Sequence, residues 1–210
     1  MGRLISLLAA LTLIAACQNQ SQPAPTPKPS PTPHIAPAAA ILQASDVPPG
    51  LGGCAGNGAI DAYIAALQGS NPSEAGKVTD EWLQLVDGGA RAGAISVFAS
   101  AQSACANELG ATPSAKAIAS FIAQFVDEGQ ADRAWEAGVF GFVPPAPGQL
   151  TPGLILGIST GLGPRSFTYE RPSVRLACWR HGVFVALVVV SNLDAATFTT
   201  AATAIDHRLN

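Results

Sequence analysis

Charged side chains are scarce in this chain: Asp, Glu, Lys and Arg make up 12 % of its 210 residues, and Lys and Arg never cluster into a run. Binding to nucleic acid draws on many phosphate contacts, so a weakly acidic chain with no basic segment falls outside that class. Histidine occurs only at 34, 181 and 207, none with a ligand partner four residues away. Cys-x-x-Cys pairs and the EF-hand spacing are both missing. These gaps leave no sequence pattern for a zinc or calcium site, and the chain implies no metal or cofactor. After Ile14 no apolar run approaches the roughly 20 residues that span a bilayer.

What is present begins at the N-terminus. A single charge, Arg3, precedes an apolar stretch from Leu4 to Ile14 broken only by Ser6 and Thr12, and then Ala15-Ala16-Cys17. The layout is that of a secretory signal with small residues at its cleavage point. With a cysteine directly after those alanines, it resembles the lipobox of bacterial lipoproteins. The resemblance implies cleavage after residue 16 and lipidation of Cys17 by thioether-linked diacylglycerol plus an amide-linked acyl chain. It places the protein at the cell membrane, lipid-anchored on the extracytoplasmic side. The outer membrane is open as well in a cell that has one, since Gln18 is not the aspartate associated with inner-membrane retention. Loss of Arg3 leaves 10 basic and 14 acidic side chains, a mature formal charge of −4.

An exported chain folds in an oxidising compartment, which changes the meaning of its cysteines. With Cys17 acylated, Cys54, Cys105 and Cys178 remain, enough for one disulfide and one leftover thiol. Cys54 lies in a Gly-rich loop and Cys105 on an expected helix. That pair comes first, with Cys105–Cys178 as the alternative.

Between residues 18 and 40 prolines stand at 23, 25, 27, 29, 31, 33 and 37. Such spacing favours extended polyproline II at about 3.1 Å per residue, a stalk or linker that holds a folded domain away from the membrane. Residues 17–40 are accordingly read as the lipidated Cys and its Pro-rich linker, and 41–210 as one domain large enough to bury a substantial core.

Within that domain, Asp46-Val47-Pro48-Pro49-Gly50 is a turn signal. Asn57 is placed to cap a short helix over 58–68, with Ile60, Ile64 and Leu67 on one face. Residues 78–86 partly alternate and read as a strand, and 92–98 as a second strand after the Asp87-Gly88-Gly89 turn. Helices are expected over 99–109 and again after Thr112-Pro113, the second burying Ile118, Phe121, Ile122 and Phe125. Residues 138–164, rich in Gly and Pro, read as a long surface excursion with room for one short strand. Val174–Trp179 and Val183–Val190 flank a tight hairpin at His181-Gly182. In that register Cys178, Leu176 and Val174 share a face with Val185, Leu187 and Val189. Strand 183–190 is apolar on both faces, the mark of a central strand covered above and below. Ser191 or Asn192 then caps a terminal helix with the stripe Phe198, Ala201, Ala202, Ile205 and Leu209. The grouping of strands with flanking helices argues an α+β fold with a mostly antiparallel sheet.

The Asp-Val-Pro-Pro-Gly start, the Ala-Asp-Arg-Ala-Trp segment at 131–135, the Arg-His-Gly hairpin and the Ala-rich closing helix resemble extracytoplasmic sensor-type lipoprotein domains of actinobacteria and relatives, some of them attached to receptor kinases. The resemblance implies an antiparallel sheet with packed helices and a cleft. It transfers no ligand residue.

Three patterns suggest chemistry. Gly157-Ile158-Ser159-Thr160-Gly161 matches G-x-S-x-G, and Asp194 or Asp206 with His207 would complete the serine, acid, histidine order of a hydrolase. Leu162-Gly163-Pro164, however, denies the serine the helix that a nucleophile elbow needs. Asp127, Glu128, Asp132 and Glu136 form an acidic run that reads as a solvated helix end. Arg165, Arg171, Arg175 and Arg180 interleave with Phe167, Tyr169 and Trp179. If 165–179 is continuously extended, Arg165, Phe167, Tyr169, Arg171, Arg175 and Trp179 share a parity and form an aromatic–cationic face. From this comes a candidate ligand surface of Arg171, Arg175, Trp179 and Phe184, with Pro172 the residue able to break the register. The expectation is a non-enzymatic domain for ligand sensing or protein interaction, anchored to the membrane and binding a protein or small molecule. A carrier of a lipid or other apolar ligand is the second reading, and a serine hydrolase using Ser159 the third.

Overall fold

The computed structural model describes residues 35–111, 114–146, 148, 149 and 151–210. The signal segment, Cys17, the linker through His34, and Thr112 with Pro113 lie outside the described residues. In chain order the elements are α1 (Pro37–Ala40), a 3-10 turn at Ala44–Asp46, β1 (Gly52–Gly53), β2 (Gly58–Ala59), α2 (Ile60–Ser70), α3 (Pro72–Asp87) and β3 (Ala90–Ala99). Two more 3-10 turns (Gln102–Ala106, Glu108–Gly110) lead to β4 (Ala117–Phe125), α4 (Glu128–Ala137), β5 (Leu154–Leu156) and a fourth 3-10 turn at Gly157–Thr160. The chain closes with β6 (Ser166–Glu170), β7 (Val174–His181), β8 (Phe184–Ser191) and α5 (Ala195–Leu209).

The eight strands form one antiparallel sheet in the order β1-β3-β4-β8-β7-β6-β5, with β2 also paired to β3. The fold is α+β, as the grouping of elements predicts. One face carries Ile95, Val97, Phe121, Cys178, Val185 and Leu187 beneath α2, α3 and α4. The other carries Ile118, Ile122, Trp179, Phe184, Val188 and Val190 beneath α1 and α5. Every residue of β8 is buried, so it is the doubly covered strand that its two-sided apolar pattern indicates.

Several local expectations are corrected. Residues 78–86 are not a strand but part of α3. Asn71 accepts a hydrogen bond from Glu74 N at 3.3 Å and Pro72 follows in the first turn, so Asn-Pro-Ser-Glu is a helix start. Ala75, Val78 and Leu85 are buried on its inner face, with Trp82 packed beside them. Residues 117–125 are not a helix but β4. Ile118, Phe121, Ile122 and Phe125 fit a helical stripe, yet a strand buried on both faces lacks the polar alternation that would distinguish it. The expected helix over 99–109 is two 3-10 turns, with Leu109 at a φ of 49°. Asn57 caps nothing. Its amide binds the backbone of Val97 at both ends, Nδ2 donating to the carbonyl (3.0 Å) and Oδ1 accepting from the N–H (2.8 Å).

The β7–β8 hairpin turns at Gly182-Val183, with His181 opposite Phe184 and Cys178 opposite Leu187. Each strand is thus displaced by one residue from the expected pairing. Because the summed shift is two, no side chain changes face, and the two expected faces stand. The cap of α5 is Asp194, which accepts from Thr197 N at 2.7 Å, and the buried stripe of that helix is the expected one. The folded part also starts earlier than residue 41: Pro37 and Ala40 are buried in α1, and Arg208 of α5 bonds to the Ala40 and Ile41 carbonyls and to Asp46.

Candidate functional site

The excursion after α4 is built by backbone rules before it offers any surface. Gly138 ends α4 at a φ of +97°, where a Cβ would lie 2.7 Å from Val143 Cγ2. Val139 and Phe142 then exchange backbone hydrogen bonds at 3.2 and 2.9 Å around Phe140 and Gly141, both at positive φ as a type I′ turn requires. A bulky residue at positive φ is strained unless something holds it. Phe140 is held by burial, its ring edge-on to Phe121 at 4.9 Å. At the far end Gly153 meets Glu170: their backbones bond at 2.9 Å, and a Cβ on Gly153 would stand 2.2 Å from the Glu170 carbonyl oxygen.

Described residues of the excursion line a groove of about 290 Å³ together with β5, β6 and β7. Phe167 and Leu176 are buried at its base. Phe142, Val143, Pro145 and Leu154 form its apolar walls, and Thr151 and Tyr169 place hydroxyls at its rim. Its volume is near the lower limit of the roughly 300–1,000 Å³ typical of ligand clefts. Val143 on its wall is 56 % exposed. Arg171 lies over the Tyr169 ring, its guanidinium carbon 5.2 Å from the centroid, and its Nε donates to the Tyr169 hydroxyl.

The expected aromatic–cationic face is not assembled. The chain reverses at 171–173, so β6 and β7 are paired strands, with Glu170 opposite Arg175 and Phe167 opposite Cys178. Phe167 and Tyr169 face the groove side, whereas Trp179 and Phe184 are fully buried on the opposite face beneath α5. Arg175 bonds to Glu170 and to the Leu193 carbonyl. Of the four residues named for that surface, only Arg171 stands at the groove.

Ser159 is exposed on the turn after β5, and this turn runs into no helix. Thr160 and Ser166 hold it: their hydroxyls meet at 2.6 Å and both bond to the Gly157 carbonyl. The residues that would complete a hydrolase triad are engaged elsewhere. Asp194 caps α5, which with the hydrogen bond from Thr197 holds its carboxyl below the usual range. Asp206 accepts from Trp179 Nε1 and pairs with His181 Nδ1, each at 3.1 Å, and His207 is exposed on α5.

The acidic run is neither a metal loop nor a freely solvated helix end. Asp127 caps α4, and Glu128, Asp132 and Glu136, spaced by one turn, form a line that meets two arginines. Arg180 pairs with Asp132 (2.7 Å) and Glu128 (3.2 Å). Arg165 pairs with Glu136 (3.1 Å) and Asp132 (3.5 Å) and lies over the Trp135 ring. The i, i+4, i+8 spacing of the acids is the signal that could have revealed this strut. Among the described residues no cluster of three or more His, Cys, Asp or Glu suits a metal ion.

Cys54 and Cys105 form a disulfide, and Cys178 is a free thiol buried in β7, where burial pushes its pKa up to about 12. Near that bridge Glu108 faces Glu74, Glu81 and Lys77 of α3, and its charge also reaches Tyr63 of α2. Burial first, then hydrogen bonding with Glu74 and the negative charges of Glu74 and Glu81, raise the Glu108 carboxyl to about 7 against the pull of Lys77. Tyr63, buried among these groups, rises to about 12, chiefly by desolvation.

Fold and groove together define an antiparallel-sheet α+β domain with one disulfide and an open apolar cleft at one sheet edge. No family model matches the chain, and no match was found among curated proteins or solved structures.

Proposed function

We propose that this chain is a membrane-anchored extracytoplasmic lipoprotein whose domain binds a ligand or partner and does not transform it. The observation that carries this reading is the contrast between two regions. The groove at the β5 edge is apolar, open and lined by no nucleophile–base pair. The acids that the sequence offers for catalysis instead support structure, Asp194 at its cap and Asp206 against Trp179 and His181. The lipobox supports the anchor: a diacylglyceryl group plus a third acyl chain supplies more than the two-signal minimum for stable membrane attachment.

Detergent phase separation of the native protein tests the anchor. The wild type is expected in the detergent phase and Cys17→Ser in the aqueous phase, and an aqueous wild type would refute it. A fluorophosphonate probe tests the non-catalytic assignment. Labelling that disappears in Ser159→Ala would overturn it in favour of a hydrolase.

A further inference from the structure

The groove has a chemistry that the general reading does not use. Its lining is mainly apolar, contributed by Phe142, Val143, Leu154, Phe167 and Leu176, with hydroxyls on Thr151 and Tyr169. Arg171 is positioned there by a hydrogen bond from Nε to the Tyr169 hydroxyl and by stacking on its ring. This arrangement engages one edge of the guanidinium and leaves the terminal N–H groups to the exterior. Arg165, Arg175 and Arg180 are each paired to a carboxylate, but no acid among the described residues lies within ion-pairing distance of Arg171. An arginine held in place without a counter-ion, at the end of an apolar cleft, is complementary to one acyl chain ending in an anion. A cleft of about 290 Å³ suits a single chain better than two.

We infer that the groove formed by Phe142, Val143, Pro145 and Thr151 with strands β5–β7 binds a free single-chain anionic amphiphile, its chain against Phe167, Leu176 and Leu154 and its carboxylate or phosphate head on Arg171. This deepens the reading of the domain as a binding module and does not depend on the lipid anchor.

The test uses the mature chain, residues 17–210, carrying Cys17→Ser so that no acyl group of its own competes. Dodecanoate, dodecyl phosphate, dodecanol and dodecyltrimethylammonium are titrated below their micelle concentrations by calorimetry. Saturable one-to-one binding is expected for the two anions, at least tenfold weaker binding for the alcohol, and the weakest for the cation. Arg171→Gln should lower dodecanoate affinity about tenfold while leaving dodecanol unchanged. Val143→Glu, at an exposed wall position that a folded variant tolerates, should abolish binding of both, with circular dichroism confirming the fold. Equal affinity for dodecanoate and dodecanol, or an Arg171→Gln variant that binds dodecanoate as the parent does, would overturn the head-group assignment. Binding to vesicles containing an anionic phospholipid without binding to free dodecanoate would reassign the surface to the bilayer and refute a soluble ligand. Absence of binding by every amphiphile would refute the groove as this site while leaving the non-catalytic assignment to the probe experiment, so the two failures are separable.

Discussion

Glu108 and Cys178 show two different consequences of burial at a single side chain. For Glu108 the cost falls on the ionised form. Its folded-state value of about 7 is above its ordinary value of 4.5, so the folded protein holds a proton that the unfolded chain releases. Stability from this group is therefore complete below pH 4.5, is lost as pH rises from 4.5 to 7, and stays at its reduced level above that. Glu108→Gln removes the titration. The variant should unfold at a higher temperature than the parent at pH 8, and the difference should shrink by pH 4.5; melts at both pH values check this, and an unchanged difference would refute it. The shared burial that raises Cys178 to about 12 has a kinetic consequence instead, because only a thiolate attacks. In the Cys17→Ser background an aromatic disulfide reagent should find no reactive thiol in the native protein at pH 8 and one thiol in guanidinium. A native-state reaction complete within minutes would contradict the burial of β7.

Elements were legible in the sequence where one face meets solvent or where a turn has strict backbone demands. Helix α5 exposes one side, so its stripe from Phe198 to Leu209 is readable at helical spacing. The β7–β8 hairpin is signalled by Arg180-His181-Gly182, and although the turn falls at Gly182-Val183 the displaced register preserves its faces. Strand β4 failed because every side chain on it but Gln124 is buried, so hydrophobicity carries no period there. Helix α3 is not legible because its start, Asn71-Pro72-Ser73-Glu74, is polar and Glu74 itself lies on the buried face. Of the candidate site, Phe167, Tyr169 and Arg171 are legible in the sequence, but as members of one extended face with Arg175 and Trp179, which the structure does not assemble. The groove depends on an irregular excursion whose path is set by positive-φ positions and by the reversal at 171–173, which parity along one strand cannot anticipate. That excursion makes its own prediction. In Gly153→Ala the new Cβ would meet the Glu170 carbonyl at 2.2 Å in a backbone conformation that disfavours side chains. The cost should exceed about 1 kcal/mol, released by parting β5 from β6. Hydrogen exchange should then show faster exchange of the Glu170 and Leu154 amides while β8 stays protected; unchanged exchange at β5 would show that the clamp is dispensable.

At the largest scale the described domain is organised around a sheet with two cores. Strands β4 and β8 contribute alternate side chains to each, so neither core can loosen without exposing the other's strands. The sheet's β3 edge is covered differently from its β5 edge. Short β1 and β2 pair with β3, Asn57 adds an amide that imitates a strand partner to Val97, and the Cys54–Cys105 disulfide joins this edge to the 3-10 turn that follows β3. Its cysteines are 51 residues apart, and that loop encloses α2, α3 and β3. Closing such a loop in the unfolded chain removes conformational entropy worth ~4 kcal/mol on the chain-entropy account, a large share of the roughly 5–15 kcal/mol by which domains are stable. Reduction should accordingly lower the guanidinium midpoint strongly. Cys54→Ser with Cys105→Ser should reproduce the reduced value, and Cys178→Ser, lacking a disulfide role, should leave the effect of reductant intact. The anionic-amphiphile groove lies at the opposite edge of the sheet, so ligand affinity in the double serine variant should match the parent at temperatures where both are folded. A midpoint insensitive to reductant would show that the two cores alone hold the β3 edge. A parallel loss of ligand binding would show that the two edges are coupled through β4 and β8.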